Sequence, residues 1–273
     1  MSLKKIFKKD KDILIGAIHF PPLLGYKDFP GFDIALKNAL ADLRAFEQGG
    51  VDGIIFENNY DIPHKISVDK AIVASMTLLG QQIKAKTKLP LGVSVLWNDY
   101  EAALSIAKTL DLRFVRVPAF VDKVKTNYGI AEGNAREVIA FRKAIRAEDV
   151  AIFTDIHVKH AKLLSKHSLT ESAKLAIKNG SDALILTGQW TGDAPPMDDL
   201  RTVRKEVGLF PILIGSGLDS QNARLVLDLA NGAIVSTSLK RGVNEIEEVN
   251  VKPYAMRISK SKVKQLIDSI RAQ

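Results

Sequence analysis

The chain contains no cysteine. No disulfide or thiolate metal site can form, catalysis through a thiolate is excluded, and the redox state of the surroundings cannot matter to the fold. Long apolar runs are missing too: none approaches the ~18 residues that a membrane-spanning helix requires. The opening "MSLKKIFKKDKD" is basic and lacks the apolar stretch of a signal peptide, so the expectation is a soluble, cytoplasmic protein. No zinc-finger, RNA-recognition or basic-zipper spacing occurs, and nucleic acid is not an expected partner. No Gly-rich dinucleotide fingerprint follows the first expected strand, which counts against an open doubly wound sheet.

What is present is a large apolar fraction, 46% of 273 residues, enough for a sizeable core. At this length a barrel of alternating strands and helices fits as one domain over residues 1–273. Lys and Arg number 39 against 31 Asp and Glu, a formal net charge of +8. Such a field favours an anionic partner. Part of the excess lies in a basic N-terminal arm at about residues 1–12, carrying Lys4, Lys5, Lys8, Lys9 and Lys11, and part between Arg257 and Lys264. Both are expected to be solvated.

A pattern recurs along the chain: a helix-like segment ends in Gly or Asn-Gly, and a short β-branched run follows. "QGGVDGIIFEN", "KNGSDALILTG" and "ANGAIVSTSLK" are three copies, and "KLPLGVSVLWN" and "GLFPILIGSGL" are variants closed by proline. Glycine in a left-handed cap ends the helix, and the next strand enters the core. Eight strands are expected, over Ile13–Phe20, Gly53–Asn58, Leu91–Asn98, Phe114–Phe120, Ala151–Val158, Ala183–Gly188, Pro211–Gly217 and Ala233–Leu239. Amphipathic helices lie between them, and the strands are nearly all apolar, as in a parallel sheet covered on both sides. The fold class is α/β, a single (β/α)8 barrel.

In such a barrel, function lies at the C-terminal ends of the strands. Those ends here carry His19, Glu57, Asn58, Asn98, Asp99, Arg116, Asp155, His157, Lys159, Thr187 and the glycines of "IGSGL". "FTDIHVKH" is the densest example: if the strand continues, Asp155, His157 and Lys159 all face the same way. Glu57, Asp155 and His157 are candidates for acid–base work or for a divalent cation, and Lys159 for a Schiff base. Gly215, Ser216 and Gly217, with Ser236, Thr237, Ser238 and Lys240, form a candidate phosphate cradle built from the loops after the last two strands. "LTGQWTGDAPP", with Thr191 and Gly192, and "TNYGIAEGNAR" are candidate covers for the site. His160 and His167 are expected to face solvent.

The stretches "IGAIHFPPLLG", "GGVDGIIFENNYDIP", "LPLGVSVLWND", "YGIAEGNA", "TDIHVKHA", "TGQWTG", "ILIGSG" and "IVSTSLKR" together resemble the BtpA family, which includes the SgcQ-type proteins. The resemblance runs nearly end to end and implies a phosphate-binding type of (β/α)8 barrel. It implies two kinds of role: photosystem I biogenesis, with stabilisation of a membrane complex, and enzymes of carbohydrate metabolism. The family's shared polar positions fall on His19, Glu57, Asn58, Asn98, Asp99, Asp155, His157, Lys159, Thr191 and Gly192. This chain departs from the family pattern at Pro118, where asparagine is frequent, and at Ser236, where glycine is usual.

Two readings follow. In the first, an enzyme (isomerase, lyase or hydrolase) acts on a small phosphorylated metabolite, a sugar phosphate or a nucleoside-derived one. Here His19, Asn58, Asn98, Arg116, Thr187, Thr191 and Gly192 hold the substrate. In the second, a non-enzymatic assembly factor rests its basic arm on an acidic membrane surface. A homo-oligomer is compatible with either.

Overall fold

The computed structural model describes residues 1–242 and 253–271. In chain order its strands are β1 (Ile13–His19), β2 (Gly53–Glu57), β3 (Leu91–Ser94), β4 (Phe114–Val117), β5 (Lys123–Thr126), β6 (Gly129–Glu132), β7 (Ala151–Asp155), β8 (Ala161–Leu163), β9 (Ala183–Leu186), β10 (Ile212–Ile214) and β11 (Gly232–Val235). The helices are α1 (Leu3–Phe7), α2 (Phe32–Gly49), α3 (Lys70–Lys84), α4 (Tyr100–Thr109), α5 (Ala135–Ala144), α6 (Leu169–Lys178), α7 (Met197–Val207), α8 (Ala223–Leu227) and α9 (Lys260–Arg271). Eight strands pair in parallel and close in the order β1-β2-β3-β4-β7-β9-β10-β11, with β11 returning to β1. This is the expected (β/α)8 barrel. No helix among the described residues is long and apolar enough to cross a membrane.

The repeat reading holds in two of its three copies. Gly50 and Gly180 adopt φ of +97° and +98° and close α2 and the α6 turn, as a left-handed cap requires. Gly232 has a different role: a Cβ there would lie 2.3 Å from the carbonyl oxygen of Ile13, so its bare backbone lets β11 close against β1.

Alternation along the strands sorts the interior. Inward positions at the base are apolar, and Ile15, Ile55, Phe114, Phe153, Ile185 and Leu213 form one buried cluster. One pleat further up, the same strands present Glu57, Arg116 and Asp155, and β1 reaches His19 one pleat beyond Ala17. The expected strands run longer than the observed ones at this end. Beyond β3 and β4 the backbone bonds to side chains instead of neighbouring strands: the Leu96 N–H donates to Asn58 Oδ1 at 2.7 Å and the Ala119 N–H to Asn98 Oδ1 at 2.7 Å.

The N-terminal segment is not the solvated arm expected. It forms α1, whose Leu3, Ile6 and Phe7 join the inner cluster, with the Phe7 ring 5.7 Å from that of Phe114. The lysines Lys4, Lys5, Lys8 and Lys11 stay exposed while the apolar face plugs the base of the barrel. A second addition covers the opposite end. The chain after β4 forms the antiparallel hairpin β5–β6, and β8 pairs with β5 to complete a three-stranded sheet. Its underside carries a small core of its own, in which Trp97, Val124, Ala131 and Val158 pack with Tyr128.

Candidate active site at the barrel mouth

The strand ends, the loops after β9, β10 and β11 and the small sheet enclose a cavity of about 390 Å3. His19, Glu57, Arg116 and Lys159 line its floor, and Gly215, Ser216, Gly217, Ser236, Thr237 and Ser238 line one wall. Thr191, Gly192 and Trp190 from the loop after β9 close another side.

Arg116 organises the floor. It is 6% exposed; its Nε and Nη2 each donate to Asp155 at 2.8 Å, and its Nη1 lies 3.5 Å from Glu57 Oε1. Burial opposes the guanidinium charge, but Asp155 and then Glu57 outweigh it and raise the pKa above the ordinary arginine range. Glu57 also approaches His19, Oε2 to Nε2, at 3.7 Å. The imidazole of His19 is held well below its usual range by burial, and further by Lys240, Lys159, Arg257 and Arg116. It is therefore neutral, in a field set by cations.

Lys159 completes the floor. Its backbone is fixed at three neighbouring points: the Ile156 N–H donates to Ile185 O, the Lys159 N–H to Thr187 Oγ1 and the His160 N–H to Gln189 O. Its amine makes no ion pair among the described residues. Burial is the main cause that pushes its pKa down to about 8, and Arg116 adds to it, against the opposing pull of Glu57, Asp155 and Asp193.

The wall formed by the last two loops is held together tightly. Ser216 Oγ donates to Asp193 O at 2.7 Å, and Ser238 Oγ to Leu218 O at 2.8 Å. Gly217 has φ +76°, and a Cβ there would lie 1.9 Å from the Ala194 nitrogen, so only glycine lets these loops touch. The Ser236 hydroxyl is buried and has no hydrogen-bond partner among the described residues. At φ −155° its backbone does not require the glycine usual in the family.

Several sequence expectations need correction. His157 does not join Glu57 and Asp155. The strand ends at Asp155, and His157 turns left-handed at φ +48°, which breaks the alternation. Its ring borders a second hollow under the small sheet, together with Thr187. The three therefore do not make a metal set, and the described residues contain no cluster of three or more such ligands. Asp155 lies under Arg116 and does not line the cavity. Lys240 points away from the phosphate wall; its Nζ bonds the Tyr60 hydroxyl at 3.1 Å.

Asn58 and Asn98 do not line the cavity either. Asn58 clasps the backbone N–H and C=O of Leu96, and Asn98 those of Ala119, so each joins its own strand end to the next. Asp99 caps α4 by accepting from the Ala102 N–H. Replacing Asn98 with alanine leaves two buried backbone groups of Ala119 without partners. A loss of about 1–3 kcal/mol in urea unfolding is expected, with ligand responses preserved.

Sequence reasoning also missed residues. His160, expected in solvent, lines the cavity, and its Nε2 lies 2.8 Å from Thr191 Oγ1. Burial pushes its pKa down to about 4. His167 instead pairs with Asp122 at 3.0 Å. His64 and Tyr128 face each other edge to face at 5.0 Å on the cavity's rim. One signal was available: both tryptophans of the chain, Trp97 and Trp190, follow strand ends, and both line the cavity.

The BtpA family profile matches residues 10–266. The chain belongs to the BtpA family. It is 36% identical over 253 residues to the photosystem I biogenesis protein BtpA of Synechocystis, covering 92% of this chain and 88% of that one. It is 34% identical over 261 residues to the uncharacterized protein PH1209 of Pyrococcus horikoshii, covering 94% and 96%. Among solved structures, the BtpA-family fold seen here resembles (S)-3-O-geranylgeranylglyceryl phosphate synthase from Thermoplasma acidophilum in complex with sn-glycerol-1-phosphate. The TM-score is 0.60, the identity 14%, and both chains are covered completely. At that identity the likeness speaks for the fold alone.

Proposed function

We propose that this protein is an enzyme that acts on a small phosphorylated metabolite held at the mouth of the barrel. The phosphate lies against the wall of Gly215 to Gly217 and Ser236 to Ser238, where the Ser236 hydroxyl donates to it. The reactive part of the substrate reaches the floor, where Lys159, Glu57 and neutral His19 supply the amine and the acid–base groups. The observation that carries this reading is the pairing, in one cavity, of a buried hydroxyl beside glycine loops with a lysine, neither of which has a hydrogen-bond or ion-pair partner for its side chain among the described residues. The field adds support: besides burial, the largest influences that lower the His19 pKa are the cations Lys240, Lys159, Arg257 and Arg116. A folded scaffold gains nothing from such groups, since a buried unpaired polar group costs about 1–3 kcal/mol.

The test is thermal unfolding against inorganic phosphate, sn-glycerol-1-phosphate and a panel of sugar phosphates. A ligand present at ~100 times its dissociation constant stabilises the fold by about 2.7 kcal/mol. A shift with phosphate esters but not with the parent alcohols is expected. No shift from any anion would sink the reading.

The name of the Synechocystis relative favours a second reading, an assembly factor for a membrane complex. The exposed lysines of α1 would then contact the acidic partner. Substitution of Lys4, Lys5 and Lys8 would abolish that role and leave phosphate responses intact.

A further inference from the structure

Lys159 differs from its neighbours on the cavity floor. Arg116 already holds Asp155 through two hydrogen bonds and attracts Glu57, and among the described residues the lysine forms no ion pair with either carboxylate. The groups facing it are Arg116 from β4, Glu57 from β2, Asp155 from β7 and Asp193 from the loop after β9, two of the three acids being shared with Arg116. Left-handed residues His157 and His160, at φ +48° and +59°, flank the turn that carries it, and the three backbone bonds to the β9 end hold that turn in place. The chain thus holds an amine without an ion-pair partner among the described residues in the same cavity that the glycine and serine wall lines. A lysine serving only as a cation for an anion would gain from holding its proton firmly, whereas burial here makes that proton easier to give up.

We propose that the Lys159 amine condenses with a carbonyl carbon of the substrate, so that the substrates of this site are phosphorylated aldehydes or ketones. This rests on the phosphate reading of the same cavity and adds the functional group at the other end of the ligand. The ammonium first gives a proton to Glu57. The neutral nitrogen lone pair then attacks the carbonyl carbon while the C=O π pair moves to oxygen, and one proton passes from nitrogen to that oxygen, giving a carbinolamine. Glu57 returns its proton to the hydroxyl, which leaves as water as the nitrogen lone pair forms the C=N bond. In sum, one ammonium and one carbonyl give one iminium and one water, with charge conserved and no oxidant or reductant. Glu57, its proton returned, then takes a proton from the carbon beside the former carbonyl as that C–H pair moves into the iminium, giving an enamine.

Pyridoxal 5′-phosphate, itself a phosphorylated aldehyde, serves as the probe, with borohydride to trap the imine and peptide mass mapping to locate it. At pH 7 about one in ten amines of pKa about 8 is neutral, against roughly one in 2,500 for an ordinary lysine of pKa about 10.4. Lys159 is expected to be labelled at least tenfold faster than the exposed Lys125, with a pH midpoint near 8. Lys159→Arg is expected to lose that label and to keep stabilisation by inorganic phosphate, since the charge remains. Labelling of Lys159 no faster than Lys125, or a midpoint near that of ordinary lysine, overturns the proposal. Phosphate stabilisation with Lys159 unlabelled refutes the imine and leaves the phosphate site standing. Equally fast labelling by pyridoxal without its phosphate does the reverse.

Discussion

Arg116→Met is expected to destabilise the barrel by about 3–5 kcal/mol at neutral pH, measured by urea unfolding. The side chain is buried, and its two hydrogen bonds to Asp155 and its contact with Glu57 are the main compensation for two carboxylates inside the barrel. Methionine fills much of the volume but offers no charge, so both carboxylates remain desolvated without a cation in hydrogen-bond reach. Burial without a partner raises a carboxylate's pKa above its unfolded value. In the variant the folded state therefore binds protons more readily than the unfolded chain. The deficit is then largest above the raised folded pKa and shrinks as pH falls toward the unfolded one. A variant that lost stability equally at all pH values would show that packing, and not charge, is the role of Arg116. Replacing Asp155 with leucine in the same chain removes one of the orphaned charges and should recover part of the loss.

Gly217→Ala is expected to weaken stabilisation by inorganic phosphate at least tenfold. At φ +76° an alanine is strained, and its Cβ would lie 1.9 Å from the Ala194 nitrogen and 2.2 Å from the Asp193 carbonyl carbon. Neither backbone atom can yield as a flexible side chain would. The loop after β9 must move away, which breaks the Ser216 to Asp193 hydrogen bond and shifts Thr191 and Gly192, which line the cavity beside that wall. Gly208→Ala is the control: it also has positive φ, +59°, but its Cβ meets nothing within 4 Å, and it lies between α7 and β10, at the base. It should lower stability modestly and leave the phosphate response unchanged. If Gly217→Ala responded to phosphate as the parent does, the wall of the last two loops would not be the anion site.

The strands and their order were legible because both signals are local. A run such as "GIIFE" between a capped helix and a polar loop reads as a buried parallel strand, and eight such runs allow few other closures. The plug formed by α1 was not legible, since "LKKIF" is too short to show helical periodicity and its lysines dominate its composition. The small sheet was hidden for a similar reason: β5, β6 and β8 are three or four residues each, and β8 comes from a different barrel unit. At the site, polarity at strand ends singled out the right neighbourhood but not the right roles. Asn58 and Asn98 looked like ligands because amides at a barrel mouth can serve either a substrate or a backbone, and only the neighbouring loop decides which.

The sequence by itself determined that the inward face of each strand passes from apolar to charged as it nears the mouth, as in Ile55 to Glu57, Phe114 to Arg116 and Phe153 to Asp155. Two-residue alternation carries that directly. Only the tertiary structure decided which of those charges meet. Arg116 meets two acids because β7, which carries Asp155, lies beside β4 in the closed ring, and the floor is narrow enough for its fork to reach past β3 to Glu57 on β2. His157 left the cluster because the backbone turned left-handed one residue after Ile156, and Lys159 entered it because that same turn is stitched to the end of β9. Pairing between ionisable groups depends on distances across strands far apart in the chain, and burial then sets how strongly each pair acts.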